Sequence, residues 1–141
     1  MIKLIIGPAG IGKTNKIIQK ANEDVKKTNG HLVYIDHKNT RMLKVDSRIR
    51  FANAGEYNIK DKETFNGFIC GIVASNYDVE TIYIDGLYKI TKTELNDMED
   101  FFRKLDILEL KYNINFVLTI SCIKKELPQF LNKYIIVDLD Q

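Results

Sequence analysis

The chain opens with Ile2-Lys3-Leu4-Ile5-Ile6, a near-continuous apolar run, and passes directly into Gly7-Pro8-Ala9-Gly10-Ile11-Gly12-Lys13-Thr14. An apolar run of this kind suits a strand buried on both faces. The eight residues after it fit the pattern Gly-x-x-x-x-Gly-Lys-Ser/Thr, and each part has a physical task. The glycines let backbone N–H groups curl around phosphate oxygens, Lys13 supplies a point positive charge, and Thr14 offers a hydroxyl to a divalent cation. From Lys13 to Lys27 the residues Ile17, Ile18, Ala21 and Val25 share one helical face, and Asn29-Gly30 supplies a stop. The loop therefore feeds a helix, whose unpaired N–H groups and positive dipole end face the same anion.

The same alternation continues along the chain. His31-Leu32-Val33-Tyr34-Ile35 reads as a second strand ending at Asp36, and Thr81-Ile82-Tyr83-Ile84-Asp85 as a third ending in a carboxylate. The stretch from His37 to Tyr57 is irregular, with Arg48-Ile49-Arg50-Phe51-Ala52 alternating like a short edge strand. Asp61 is a natural N-cap for a helix carrying Phe65, Phe68, Ile69, Ile72 and Val73 on one face; Gly67 and Gly71 within it are expected to allow close packing on the sheet. Thr93 is expected to cap a long helix bearing Leu95, Met98, Phe102, Leu105, Leu108 and Tyr112. Asn115 to Ser121 is predicted as a fourth strand, Lys124 to Asn132 as a short helix with Pro128 near its first turn, and Tyr134 to Val137 as a last strand.

Strands separated by helices imply a three-layer α/β/α architecture around a mostly parallel sheet of five strands, or five plus one edge strand. Ligands bind such sheets beyond the carboxyl ends of the strands. The glycine loop, Asp36, Asp85, Gly86 and Ser121 all fall at those ends, so they are read as one site.

At 141 residues the chain is expected to be a single domain, and its 45% hydrophobic and 28% charged residues belong to an ordinary folded protein. A net charge of +2 is too small to indicate a polyanionic partner, so nucleic acid is neither indicated nor excluded. The one concentrated basic stretch, His37, Lys38, Arg41, Lys44, Arg48 and Arg50, reads first as a solvated loop. Tyr34, Phe51 and Tyr57 flank it and suit either stacking on bases or core packing. Cys70 and Cys122 lie in apolar segments without a Cys-x-x-Cys pair, which argues against zinc and for buried core thiols. No apolar run approaches the roughly 18 residues that span a membrane, and no signal peptide precedes the loop, so the cytoplasm is the expected location.

A hydrophobic strand ending in Asp85, downstream of such a loop, resembles the Walker B element. On Gly7 to Thr14, Asp85, and the polar Thr119 and Ser121 of the fourth strand, the chain resembles the P-loop NTPase superfamily over essentially its whole length. Within it, the likeness is to the RecA-like and AAA-type ATPases. The resemblance implies that Gly7, Pro8, Ala9, Gly10, Ile11, Gly12 and Lys13 cradle the phosphates of ATP, and that Thr14 and Asp85 hold Mg²⁺. It also implies that Ser121 lies near the terminal phosphate, and that the fourth strand inserts between the loop strand and the Asp85 strand. Lys13, Asp85 and Ser121 are then the candidate catalytic residues. No Asn-Lys-x-Asp guanine-reading motif occurs, which favours ATP.

The sequence departs from the family where hydrolysis is decided. Many ATPases of this group place Glu directly after the Walker B Asp, whereas here the residue is Gly86, and Asp36, Glu56 or Glu63 would have to substitute. The last predicted strand ends a few residues before Gln141, so no C-terminal lid is expected. The expectation is a Mg²⁺-dependent ATP-binding protein with weak intrinsic hydrolysis, serving as a switch or assembly subunit in a homo-oligomer or with a protein partner. The alternatives are a small-molecule kinase of the nucleoside or nucleotide type, with the His37 to Arg50 loop as its lid, and a non-catalytic regulatory subunit.

Overall fold

A computed structural model describes residues 1–140. Six strands form one sheet: β1 (Ile2–Gly7), β2 (His31–Asp36), β3 (Arg50–Asn53), β4 (Val79–Ile84), β5 (Asn115–Ser121) and β6 (Ile135–Asp138). Their order is β3-β2-β4-β5-β1-β6, and every neighbouring pair is parallel. Strand β5 lies between β1 and β4, as the resemblance implied, and β3 is the edge strand foreseen in the basic stretch.

The two-residue period of each strand divides its side chains between two cores. Leu4, Ile6, Val33, Ile35, Ile82, Ile84, Phe116 and Leu118 face the larger core. Helices α2 (Lys62–Ser75), α3 (Leu87–Thr91) and α4 (Glu99–Tyr112) cover it through Phe65, Ile69, Leu87, Ile90, Phe101, Phe102 and Leu105. Ile5, Leu32, Tyr34, Tyr83 and Val117 face the other way, onto Ile17, Ile18 and Ala21 of α1 (Lys13–Asp24). Val45 and Ile49, from the irregular connection after β2, complete that smaller core. The layers are therefore unequal, with three helices on one face and one helix plus a loop on the other.

Several local expectations need correction. Cys70 is exposed, and Cys122 is only half buried. Helix α2 buries Phe65, Asn66 and Ile69, so Cys70 falls on its solvent side. Gly67 and Gly71 share that side: a β-carbon at either would meet nothing within 4 Å, so neither serves close packing on the sheet. Thr93 does not cap α4. The left-handed Lys92 at φ 54° ends a separate helix α3, Thr93 Oγ1 donates back to Thr91 O at 3.0 Å, and α4 begins after Met98. The helix expected from Lys124 to Asn132 is two 3₁₀ turns, Lys124–Glu126 and Gln129–Tyr134. Pro128 separates them because it disfavours helical geometry at Leu127, which is extended. Tyr112, placed on the apolar face of α4, is 51% exposed. No helix among the described residues is long and apolar enough to cross a membrane.

Candidate functional site

The loop between β1 and α1 owes its shape to left-handed glycines. Gly10 at φ 82° and Gly12 at φ 111° adopt a region costly for any residue with a β-carbon. A β-carbon at either would meet nothing within 4 Å, so backbone conformation requires the glycines and crowding does not. The result is an open cradle at the start of α1, where Gly12 occupies the N-cap with no side chain to satisfy the first N–H groups. Gly7 differs, since a β-carbon there would lie 2.8 Å from Ile11 Cγ2. Lys13 folds back across the loop, its Nζ donating to Pro8 O at 2.8 Å. Burial pushes the Lys13 pKa down; the Asp85 carboxylate opposes this, and the Lys89 charge adds to it.

Parallel register assembles the rest. Strands β2 and β4 are paired so that Ile35 matches Ile84, and Asp85 N donates to Ile35 O at 2.9 Å. Asp36 and Asp85 therefore end adjacent strands side by side. Each is two residues beyond a tyrosine of the α1 face, Tyr34 and Tyr83 respectively, which places both carboxylates on the side where the glycine loop enters its helix.

Asp85, 5% exposed, is held at both oxygens. Thr119 Oγ1 donates to Oδ1 at 2.7 Å, Thr14 Oγ1 donates to the same atom at 3.3 Å, and Tyr34 OH donates to Oδ2 at 3.0 Å. The loop hydroxyl and the strand-end carboxylate, separated by 71 positions in sequence, are thus direct neighbours. Tyr34 is fully buried and stacks on Phe51 of β3 and on Tyr83, with centroids 5.7 and 6.4 Å apart. It is therefore a structural partner of Asp85, and the base-stacking surface weighed for it is excluded. Burial, the Asp85 charge and this hydrogen bond all push its pKa upward.

Asp36 is 1% exposed. Its Oδ1 accepts from His37 N at 2.6 Å and lies 2.9 Å from His37 Nδ1, while Oδ2 is buried with no hydrogen-bond partner. Burial and the Asp85 charge raise its pKa, and His37 opposes the rise. Of the three carboxylates considered as substitutes for the missing Glu, this one lies beside Asp85. Glu56 and Glu63 are exposed, on the turn after β3 and in the first turn of α2.

Ser121 ends β5 in register with Gly7 and is exposed. Thr119, two residues earlier, is the β5 residue that contacts Asp85, and it also accepts from Gly86 N at 2.8 Å. The basic stretch is dispersed: Arg48 pairs with Asp46 through two hydrogen bonds, His37 engages Asp36, and Arg50 starts β3. Tyr34 escaped sequence reading as a partner of Asp85. An aromatic on a buried strand reads as core.

The donor set fits a Mg²⁺ ion. Among the described residues no group of three or more His, Cys, Asp and Glu is placed to hold a metal ion by itself. The loop hydroxyl and Asp85 are hard oxygen donors, few enough to leave most of the coordination sphere to water and phosphate.

No protein-family model and no curated protein matches the chain. Among solved structures it is similar to the flagellar accessory protein FlaH from Methanocaldococcus jannaschii, with a TM-score of 0.54 and 14% identity, over 94% of this chain. The match covers 65% of that protein, so the chain spans less than two thirds of its length. At this identity the likeness shows the fold alone: an α/β/α arrangement around an all-parallel sheet, with β5 between the loop strand and the Asp85 strand.

Proposed function

We propose that the chain is a Mg²⁺-dependent ATP-binding protein with slow intrinsic hydrolysis. The observation that carries this reading is the meeting of three elements at one end of the sheet: the glycine cradle, the Thr14–Asp85 contact, and the unpaired buried oxygen of Asp36. The loop N–H groups and Lys13 hold the β- and γ-phosphates, and Thr14 and Asp85 hold the metal. When bound, Mg²⁺ neutralises charge on the phosphate oxygens. Thr119 and Tyr34 keep Asp85 in one orientation, so that no reorganisation is needed when the nucleotide arrives.

Asp36 orients the attacking water, in place of the Glu that Gly86 replaces. Water oxygen forms the new bond to the γ-phosphorus, and the β–γ bridging P–O bond breaks. Its electron pair leaves with ADP, and the water proton passes to the Asp36 carboxylate. A raised pKa makes Asp36 a better proton acceptor than an ordinary surface aspartate. Turnover stays slow because the aspartate that orients the water is one methylene shorter than the family's glutamate and ends the neighbouring strand. Phosphate release from Mg·ATP measures this: Asp36→Asn is expected to lower turnover by about 100-fold while ATP affinity changes by less than about threefold. Equal turnover in the two proteins would remove Asp36 from the mechanism.

A further inference from the structure

The basic stretch between β2 and β3 has no part in the phosphate site, and a cleft of about 1460 Å³ lies beside it. Its floor is the edge of β3, from Ile49 to Ala52. One wall is the end of α1 together with the connection from Met42 to Arg48; the other is the later part of α2, with Phe68 and Ile72. None of the lining residues belongs to the glycine loop, and Asp36 and Asp85 lie outside the cleft.

The floor has unused backbone groups. Strand β3 stands at the end of the sheet and pairs with β2 alone. Among the described residues, Arg50, Phe51 and Ala52 make no backbone hydrogen bond outside that ladder. Alternate residues of a strand turn their N–H and C=O groups to opposite edges, so the outward set is a template for a further strand. The α2 wall is apolar: Ala52, Phe68 and Ile72 are half-buried and pack on the rim of the larger core. The opposite wall carries charge, because Lys26, Lys44 and Arg48 line it and are exposed. Asp46 is the one carboxylate lining the cleft, and Arg48 occupies it through two side-chain hydrogen bonds of 3.0 and 2.8 Å. Lys26 and Lys44 form no salt bridge among the described residues. The aromatic rings here are already paired, Phe51 on Tyr34 and Tyr57 on Phe68, with centroids 5.7 and 5.6 Å apart. A strand edge between an apolar wall and a cationic one matches a peptide backbone better than stacked bases.

We propose that this cleft takes an extended, acidic segment of a partner protein, which adds to the sheet as a strand beside β3. Its side chains alternate, apolar ones toward Phe68 and Ile72 and carboxylates toward Lys26 and Lys44. The unbalanced positive charge deters a second copy of β3 and selects a strand bearing carboxylates.

The probe is a pool of fluorescein-labelled synthetic peptides in which Ile or Val alternates with Asp or Glu, read by fluorescence polarisation against the whole chain. A second pool carries Lys or Arg in place of the acids. Wild type is expected to bind the acidic pool at least about tenfold more tightly than the basic one, and a Lys26→Glu, Lys44→Glu double variant to reverse that order. N-methylation of the acidic pool tests the strand itself. Methyl groups on the amides of the apolar residues alone, or of the acidic residues alone, are expected to differ by at least about tenfold in their effect, because one set faces β3 and the other faces away. No binding of the acidic pool, equal binding of the two pools, or equal loss from both methylation patterns would overturn the proposal. So would a wild type that takes no acidic peptide but self-associates, or binds a labelled single-stranded oligonucleotide, in a way the double variant loses. Lys26 and Lys44 are exposed, so the variant is expected to keep the wild-type circular dichroism spectrum, and the methylation comparison on wild type needs no variant.

Discussion

At the residue scale, the site concentrates the cost of burying charge. Asp36 is buried beside another carboxylate, with one oxygen lacking any hydrogen-bond partner, and its pKa is raised. Folding therefore favours its protonated form. The stability it contributes is present below the unfolded value of about 4 and is lost as pH rises through the higher folded value. Asp36→Asn removes the charge and keeps an oxygen for His37 N. The two proteins are expected to have similar melting temperatures below about pH 4 and to separate at neutral pH, with the variant higher by roughly 4 °C for each kcal/mol recovered. A variant that melts lower at pH 7 would show that the ionised carboxylate is compensated in the free protein.

Tyr34→Phe tests the opposite sign. It leaves Asp85 Oδ2 without its donor, and is expected to cost about 1–3 kcal/mol in urea titration, with part of the loss recovered when Mg·ATP is present. The loop, Asp85 and the position of Asp36 were legible in sequence because glycine, lysine and strand-end carboxylates have few other uses in that order. Tyr34 was not, because its hydroxyl partner lies 51 residues away. Thr119 was seen only as one of two polar residues on β5, and only its register with β4 shows which of the two reaches Asp85.

At the scale of elements, period and capping located most boundaries. Strand β5 spans Asn115–Ser121 as read from sequence, and Asp61 caps α2 by accepting from Thr64 N at 2.7 Å. Failures fell where a local signal had two physical outcomes. A glycine pair in a helix signals either close packing or a tolerated solvent face, and here the second holds. Neither Gly67 nor Gly71 has a positive φ or a neighbour within 4 Å of a built β-carbon. Gly67→Ala and Gly71→Ala are therefore each expected to stabilise the protein by about 1 kcal/mol, through helix propensity and a less flexible unfolded chain. A loss of stability in urea titration would mean that something packs on that face in solution. Helix α3 was missed because five residues are too few to show a period.

At the scale of the molecule, an all-parallel sheet turns a linear pattern into a site. Each strand points the same way, so residues at five separate places in the chain, Gly7 to Thr14, Asp36, Asp85, Thr119 and Ser121, gather at one end. Sequence alone carried that gathering, because strand–helix alternation dictates direction. What it did not carry was the lateral order of side chains within the gathering, which depends on register between strands far apart in sequence. Register is what sets Asp36 beside Asp85, and places Thr119 rather than Ser121 on the carboxylate.

The central claim is that this end of the sheet binds a nucleoside triphosphate through the glycine cradle and Lys13. Isothermal titration with ATP, with and without Mg²⁺, on wild type and Lys13→Ala measures it. Wild type is expected to bind ATP more tightly with Mg²⁺ than without, and Lys13→Ala to lose at least about tenfold in affinity while keeping the wild-type circular dichroism spectrum. A wild-type protein that takes up no ATP, or a Lys13→Ala variant that binds it equally well, would contradict the account.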